Sequence, residues 1–189
     1  MNTAIILPGK PSKKGYYDPK VKAQSNEHWI PWLQNQLLIR DILTQTPELP
    51  KPYAPNYEDW LAVFKQFKVD ENTVLIGHSC GGGFLVRWLS DNNVKVKKVI
   101  LVAPWLDPRD SLRNTFFKFV IDRHLLNRTK DGIVIFNSDN DADDIHESVK
   151  VIREANPDIT YREFHEYGHF CFNDMRTEEF PELLAAATD

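Results

Sequence analysis

A single five-residue turn constrains this chain more than any other feature. Gly77-His78-Ser79-Cys80-Gly81 directly follows Thr73-Val74-Leu75-Ile76, a short apolar run without alternation that is typical of a strand buried on both faces. Apolar residues at helical spacing come next: Phe84, Leu85, Trp88 and Leu89. A chain that passes from a buried strand into a helix through one sharp turn exposes the middle residue of that turn above the sheet. The turn therefore predicts a sheet with covering helices and Ser79 at its carboxyl edge.

The rest of the chain repeats this alternation of short apolar runs and segments of helical period. Strands are predicted at Ala4–Leu7, Val96–Ala103, Ile133–Phe136 and Thr160–Phe164, with a weaker one near Leu43–Thr46. Helices are predicted near residues 29–37, 57–64, 84–89, 112–120, 145–152 and 180–184. This pattern favours an α/β fold, a mostly parallel sheet of about five or six strands with helices on both faces. No linker divides residues 1–189, so one domain is expected.

The composition excludes several classes of protein. Hydrophobic residues make up 42% and charged residues 26% of the chain, as in soluble globular proteins. A net charge of −4 gives no reason to bind nucleic acid or an anionic membrane. The first apolar run, Ala4–Leu7, is shorter than the signal-peptide core of about 7–15 residues, which favours the cytoplasm. Two cysteines are too few for a disulfide scaffold, and the oligomeric state stays open.

A carboxylate is needed to make the serine reactive. A serine hydroxyl becomes a nucleophile when a base, usually histidine held by a carboxylate, takes its proton. After a turn of this kind, the carboxylate and then the histidine follow along the chain. Asp141 is the preferred acid, because 138–141 is a short turn just past a predicted strand, and Asp139 is the alternative. Asp143 and Asp144 better fit the first turn of the next helix.

The base must be one of the histidines that follow the acid. Of the six histidines, only His146, His165 and His169 follow Asp141. His146 falls too soon, within the next predicted helix, whereas the other two follow the last strand. Gly168-His169-Phe170 is typical of a turn that presents its middle side chain, so His169 is the preferred base and His165 the alternative.

Backbone and aromatic groups near these turns are further candidates. The N–H of Cys80, at a helix N-terminus, is predicted to stabilise an oxyanion. Trp29, Trp105 and Phe170 lie near strand ends or turns and are candidate walls of an apolar substrate pocket, with ordinary packing as the alternative. The 104–128 segment is the candidate partial cover of the site, as a plain connecting helix.

Other chemistries fit the sequence less well. Asp139-x-Asp141-x-Asp143 lacks the glycine and glutamate of a calcium loop, whose positions hold Asp144 and Lys150, so no metal is expected. Cys80 lies one residue beyond the apex of its turn and is expected to pack rather than react. No cofactor is expected. A non-catalytic binding protein on the same scaffold is the alternative of a different class, because a fold does not determine a function.

Three segments taken together resemble a known family. The 77–81 turn, the Ser138-x-x-Asp141 turn and Gly168-His169-Phe170 resemble the small serine hydrolases related to retinoblastoma-binding protein 9. The resemblance extends to Pro8-Gly9 and to His28-Trp29-Ile30-Pro31-Trp32. It implies an α/β-hydrolase fold without a large lid, a triad of Ser79, Asp141 and His169, and activity on small ester or amide substrates.

The chain departs from this family in two places. The loop after the first strand, Pro8 to Gly15, has fewer glycines than the family usually shows. The resemblance implies that this loop supplies a second oxyanion N–H, which we assign to Lys10. Asp141 is followed by Ala142-Asp143-Asp144, where the family often has proline and apolar residues, so Asp139 stays open as the acid.

Overall fold

The computed structural model describes residues 1–189 and contains six β-strands and seven α-helices. The strands are β1 (Thr3–Leu7), β2 (Leu43–Gln45), β3 (Thr73–His78), β4 (Lys98–Val102), β5 (Ile133–Ser138) and β6 (Thr160–Phe164). The helices are α1 (Lys13–Tyr16), α2 (Ile30–Leu38), α3 (Tyr57–Phe64), α4 (Cys80–Asp91), α5 (Asp143–Ala155), α6 (Phe172–Met175) and α7 (Pro181–Thr188). None of these helices combines the length and apolarity that crossing a bilayer requires.

The strands form one parallel sheet in the order β2-β1-β3-β4-β5-β6. Every residue of β3 and β5 is buried, which explains why these strands read as continuous apolar runs. The predicted parallel α/β sheet is confirmed, including the weak strand, which becomes the edge strand β2. Because parallel strands end at the same edge, the segments that follow β1, β3, β5 and β6 meet there.

Aromatic side chains join the helices to the sheet and to each other. In one cluster, Phe64 of α3 meets Trp88 of α4 with ring centroids 4.9 Å apart. In another, Phe180, just before α7, meets Trp29, just before α2, at 6.1 Å and Phe136 of β5 at 5.8 Å. These contacts belong to a single hydrophobic core of 44 buried residues.

The helix predicted over 112–120 is wrong, because that segment is irregular chain. The carboxylate of Asp107 accepts the N–H of Leu112 at 2.8 Å, and such side-chain acceptors compete with helical hydrogen bonds. Arg113 has φ 50, which a helix cannot contain. The apolar spacing instead reflects single anchors, since Phe116 is only 1% exposed. The segment near the site is therefore a loop, not a connecting helix.

Candidate active site

Ser79 has an unusual backbone conformation between β3 and α4. Its φ of 52 and ψ of −118 lie in a region that residues with a side chain rarely adopt. Its N–H donates to the carbonyl of Val102 at 2.9 Å, and its own carbonyl accepts the N–H groups of Gly83 and Trp105 at 3.0 Å each. The neighbouring elements therefore hold the strained turn, and such strain is common at functional sites.

Gly81 lets this turn approach the end of β1. A Cβ at Gly81 would lie 2.6 Å from the carbonyl oxygens of both Leu7 and Pro8. Side chains do not come this close to backbone atoms, so only glycine permits the contact. The approach brings the 8–10 loop beside Ser79.

Gly81→Ala should lower the free energy of unfolding by about 3 kcal/mol, because the opposing atoms are backbone and cannot rotate away. Gly132→Ala is the control: Gly132 has φ 84 but open space around its Cβ position. That change should cost only the strain of a left-handed residue, about 1–2 kcal/mol. Urea unfolding measures both, and equal losses would contradict the contact argument.

Asp141 holds the side chain of His169. The two oxygens of Asp141 lie 3.1 and 3.0 Å from His169 Nδ1. The side chain of Asp141 is 2% exposed and that of His169 is 32% exposed. A carboxylate can only accept, so Nδ1 carries the proton and Nε2 is free to accept another one. This is the arrangement in which an acid orients a base.

A second Asp–His pair lies nearby but faces solvent. Asp139 hydrogen-bonds His165 Nδ1 and accepts the N–H of Glu166 at 2.9 Å. This hydrogen bond and the charge of Asp139 raise the pKa of His165, whose side chain is 81% exposed. Neither residue lines a cavity with Ser79. The structure thus brings Asp141, and not Asp139, to His169.

Hydrogen bonds join the turn after β5 to the turn after β6. Asn140 Oδ1 accepts the O–H of Ser138 and the N–H of Gly168, both at 2.8 Å. Ser138 Oγ in turn accepts the N–H of Tyr167 at 2.9 Å. Asp141 and His169 therefore lie on two turns that support each other.

Two cavities meet at Ser79 and His169. The larger, of about 270 Å³, is also lined by Lys10, Trp105, Asp141, Ala142, Asp144 and Ile145. The smaller, of about 60 Å³, is more polar and includes Lys10, Gln24, His28, His78 and Cys171. A bound molecule that fills both cavities would place its centre beside the serine.

The structure does not place Trp29 and Phe170 on the cavity walls. Both side chains are 0% exposed and lie in the core. Phe170 stacks on Phe180 with ring centroids 5.6 Å apart, so it anchors the turn that contains His169 instead of facing a substrate. Trp105 does line the larger cavity, and its Nε1 donates to Asp144 at 2.9 Å.

The two N–H groups predicted to stabilise an oxyanion make no hydrogen bond to another backbone group. The N–H groups of Cys80 and Lys10 donate to no backbone carbonyl. Cys80 follows Ser79 directly, and Lys10 lines both cavities. The Cys80 thiol is fully buried, and burial raises its pKa, which makes it a poor nucleophile.

Sequence reasoning missed two histidines that contact the segment around His169. His78, which is 2% exposed, has its Nε2 2.8 Å from the carbonyl oxygen of His169. His28 Nδ1 accepts the N–H of Phe172 at 3.2 Å. Both contacts join residues more than 90 positions apart, and no local pattern predicts them.

His78 should make the protein less stable in acid. Burial, followed by the charges of His169 and His28, lowers the pKa of His78 well below its ordinary value. The unfolded chain then takes up the proton first, so stability is full above about pH 6.5 and falls as the pH drops toward the folded-state pKa. Urea unfolding at about pH 7 and pH 5 should show a larger loss for wild type than for His78→Gln. Equal losses would contradict this assignment.

A sequence relative covers part of the chain. The Bacillus subtilis (strain 168) protein YdeN, named as a hydrolase, is 35% identical over 80 residues. The matched stretch is 41% of this chain and spans only 42% of YdeN.

Solved structures share the fold over nearly the whole chain. The crystal structure of the ydeN gene product from B. subtilis has a TM-score of 0.77 at 22% identity, covering 100% of this chain and 97% of that one. Est1E from Butyrivibrio proteoclasticus, with ferulic acid bound, has a TM-score of 0.66 at 13% identity, covering 99% and 86%. At these identities the likeness establishes the α/β-hydrolase fold.

A match to a family model covers more of the chain than the match to YdeN. The model of the serine hydrolase family matches residues 17–173, which is most of the chain. This range contains Ser79, Asp141 and His169. The chain therefore belongs to the serine hydrolase family.

Proposed function

We propose that this protein hydrolyses a small carboxylic ester through an acyl-enzyme on Ser79. His169 is the general base and acid, and Asp141 is the carboxylate that orients it. The observation that carries the proposal is the hydrogen-bonded pair of Asp141 and His169 beside a cavity that His169 shares with Ser79. Small amides and thioesters react by the same steps and are the other substrate classes that this site could serve.

The reaction proceeds in two halves. Ser79 Oγ attacks the carbonyl carbon while His169 Nε2 takes its proton, and the N–H groups of Cys80 and Lys10 stabilise the oxyanion. The intermediate collapses, the C–O bond to the leaving group breaks, and His169 returns the proton to the departing alcohol. Water then attacks the acyl-enzyme as His169 takes a proton from it. The carboxylic acid leaves, and His169 returns the proton to Ser79.

The cavities support a small substrate. Pockets that hold drug-sized ligands measure about 300–1,000 Å³. Here the two cavities beside Ser79 measure about 270 and 60 Å³. One side of the scissile bond therefore has room for only a few heavy atoms.

This limit predicts a preference among acyl chains. The kcat/KM for p-nitrophenyl acetate should exceed that for p-nitrophenyl octanoate by about tenfold or more, because the longer chain cannot be enclosed. Initial rates over a series of chain lengths measure it. A kcat/KM that rises steadily with chain length would contradict the small-substrate assignment.

Covalent labelling tests the proposal itself. A fluorophosphonate should form an adduct on Ser79, mapped by mass spectrometry, and the adduct should be lost in His169→Ala. If the folded wild type gives neither adduct nor ester turnover, the protein is a binding protein on a hydrolase scaffold, and the proposal fails.

We further propose that residues 1–189 act as one catalytic domain related to the small serine hydrolases that resemble retinoblastoma-binding protein 9. Support comes from the sheet edge, where Ser79 follows β3, Asp141 follows β5 and His169 follows β6.

A further inference from the structure

We propose that His78 and His28 are positioning residues for His169, each holding one peptide group of the 169–172 segment. The inference rests on the proposed role of His169 as the base. Both histidines lie beside the reacting groups and take no part in the proton transfers described above.

The 168–172 segment needs support from outside. Gly168 has φ 53 and Phe170 has φ 56, so left-handed residues stand on both sides of His169. Left-handed residues interrupt the repeating hydrogen bonds of a helix or strand. One backbone bond remains, from the N–H of Phe170 to the carbonyl of Tyr167 at 3.0 Å, and side chains hold the polar groups of His169. The N–H of His169 donates to Asp174 at 3.1 Å, and its carbonyl accepts from His78 at 2.8 Å. Both peptide groups of His169 are therefore held by side chains.

The contact of His78 links the base directly to the nucleophile. A carbonyl oxygen only accepts, so His78 Nε2 carries the proton and donates it. His78 precedes Ser79 in the chain and is nearly fully buried, so it moves with the 77–81 turn. Its ring centroid is 5.0 Å from that of His169. This hydrogen bond thereby limits the separation between Ser79 and His169.

His28 contacts the other end of the segment, where it accepts a hydrogen bond instead of donating one. Its Nδ1 accepts the N–H of Phe172 at 3.2 Å, so Nδ1 must be unprotonated. Burial is the main reason why the pKa of His28 is lowered, as it is for His78. A lowered pKa favours the neutral form of His28, and its contact needs that form because a protonated Nδ1 cannot accept. The contact of His78 needs only an N–H at Nε2.

A matched pair of variants at position 78 tests the donor. His78→Gln keeps an N–H at nearly the same reach, whereas His78→Met fills similar space without a donor. With p-nitrophenyl acetate, we expect His78→Met to lower kcat by about 10–100-fold and to change KM less than about twofold. A small displacement of a general base lowers the rate of proton transfer steeply. Gln should keep at least about a third of the wild-type kcat. A residue that only filled space would show no difference between the two.

At position 28, two substitutions are compatible with the left-handed backbone, whose φ is 58. His28→Asn keeps an acceptor near the place of Nδ1, whereas His28→Gly has none, and both residues adopt positive φ readily. We expect Gly to lower kcat by about tenfold relative to Asn. This pair decides the question if His78→Met does not fold.

The results separate this inference from the proposed function. Labelling of the wild type on Ser79 is the starting condition for both comparisons. Equal kcat values for the folded His78→Met and His78→Gln variants would overturn the positioning role of His78. Equal kcat values for His28→Asn and His28→Gly would overturn that of His28. If the wild type is not labelled at all, the proposed function itself fails. Thermal unfolding of each variant shows that the protein compared is folded.

Discussion

Replacing Ser79 with alanine should lower kcat for p-nitrophenyl acetate by about 10⁶-fold, because the proposed mechanism has no other nucleophile in the site. In the proposed mechanism His169 and Asp141 only transfer or orient protons and form no acyl intermediate, so they cannot compensate. Steady-state rates and fluorophosphonate labelling measure the loss. Turnover within about tenfold of wild type would overturn Ser79 as the nucleophile.

The same position has a control that separates chemistry from folding. Ser79→Gly removes the hydroxyl as well, but glycine adopts φ 52 without strain. Both variants should be inactive, while the glycine variant should be more stable than the alanine variant by about 1 kcal/mol in urea unfolding. Equal stability would mean that the turn is not strained at Ser79.

Asp141→Asn should lower kcat by about 10⁴-fold through the wrong tautomer of His169. Asp141 Oδ1 also accepts the N–H of Ala142 at 2.7 Å, so an asparagine would keep its oxygen there. Its NH₂ would then face His169 Nδ1, which would have to accept. The imidazole proton would move to Nε2, the atom that takes the proton of Ser79 in the proposed mechanism.

Asp139→Asn is the matched control, two residues away on the same turn. Its oxygen still accepts the N–H of Glu166, so the turn keeps its shape. We expect kcat within about fivefold of wild type, since Asp139 holds only an exposed histidine. Both variants are compared in one esterase assay. A large loss at Asp139 with a small loss at Asp141 would reverse the assignment of the acid.

The features that sequence predicts well here are local ones. The 77–81 turn is predictable because the strand, the small residues and the helix that define it are adjacent in the chain. The helix predicted near residues 57–64 likewise forms as α3, and Asn56 just before it accepts the N–H of Asp59 at 3.1 Å. Each pattern expresses constraints that act within one turn of chain.

The features that escape prediction depend on distant residues. Apolar spacing over 112–120 is helical, but the Asp107 carboxylate and the core position of Phe116 determine the actual path. Asp139 and Asp141 have similar local contexts, and only the turn after β6 distinguishes them. The contacts of His28 and His78 require the whole sheet to be in place.

The order of strands has a consequence for how this protein refolds. Asp141 and His169 belong to the unit of β5 and β6, whereas Ser79 belongs to the unit of β3 and α4. Only β4 lies between them: the N–H of Ser79 donates to Val102, and the next residue, Ala103, donates to Phe136 of β5 at 2.8 Å. Recovery of the proposed esterase activity after dilution from urea therefore requires β4 to pair with both units, whereas recovery of helix content does not.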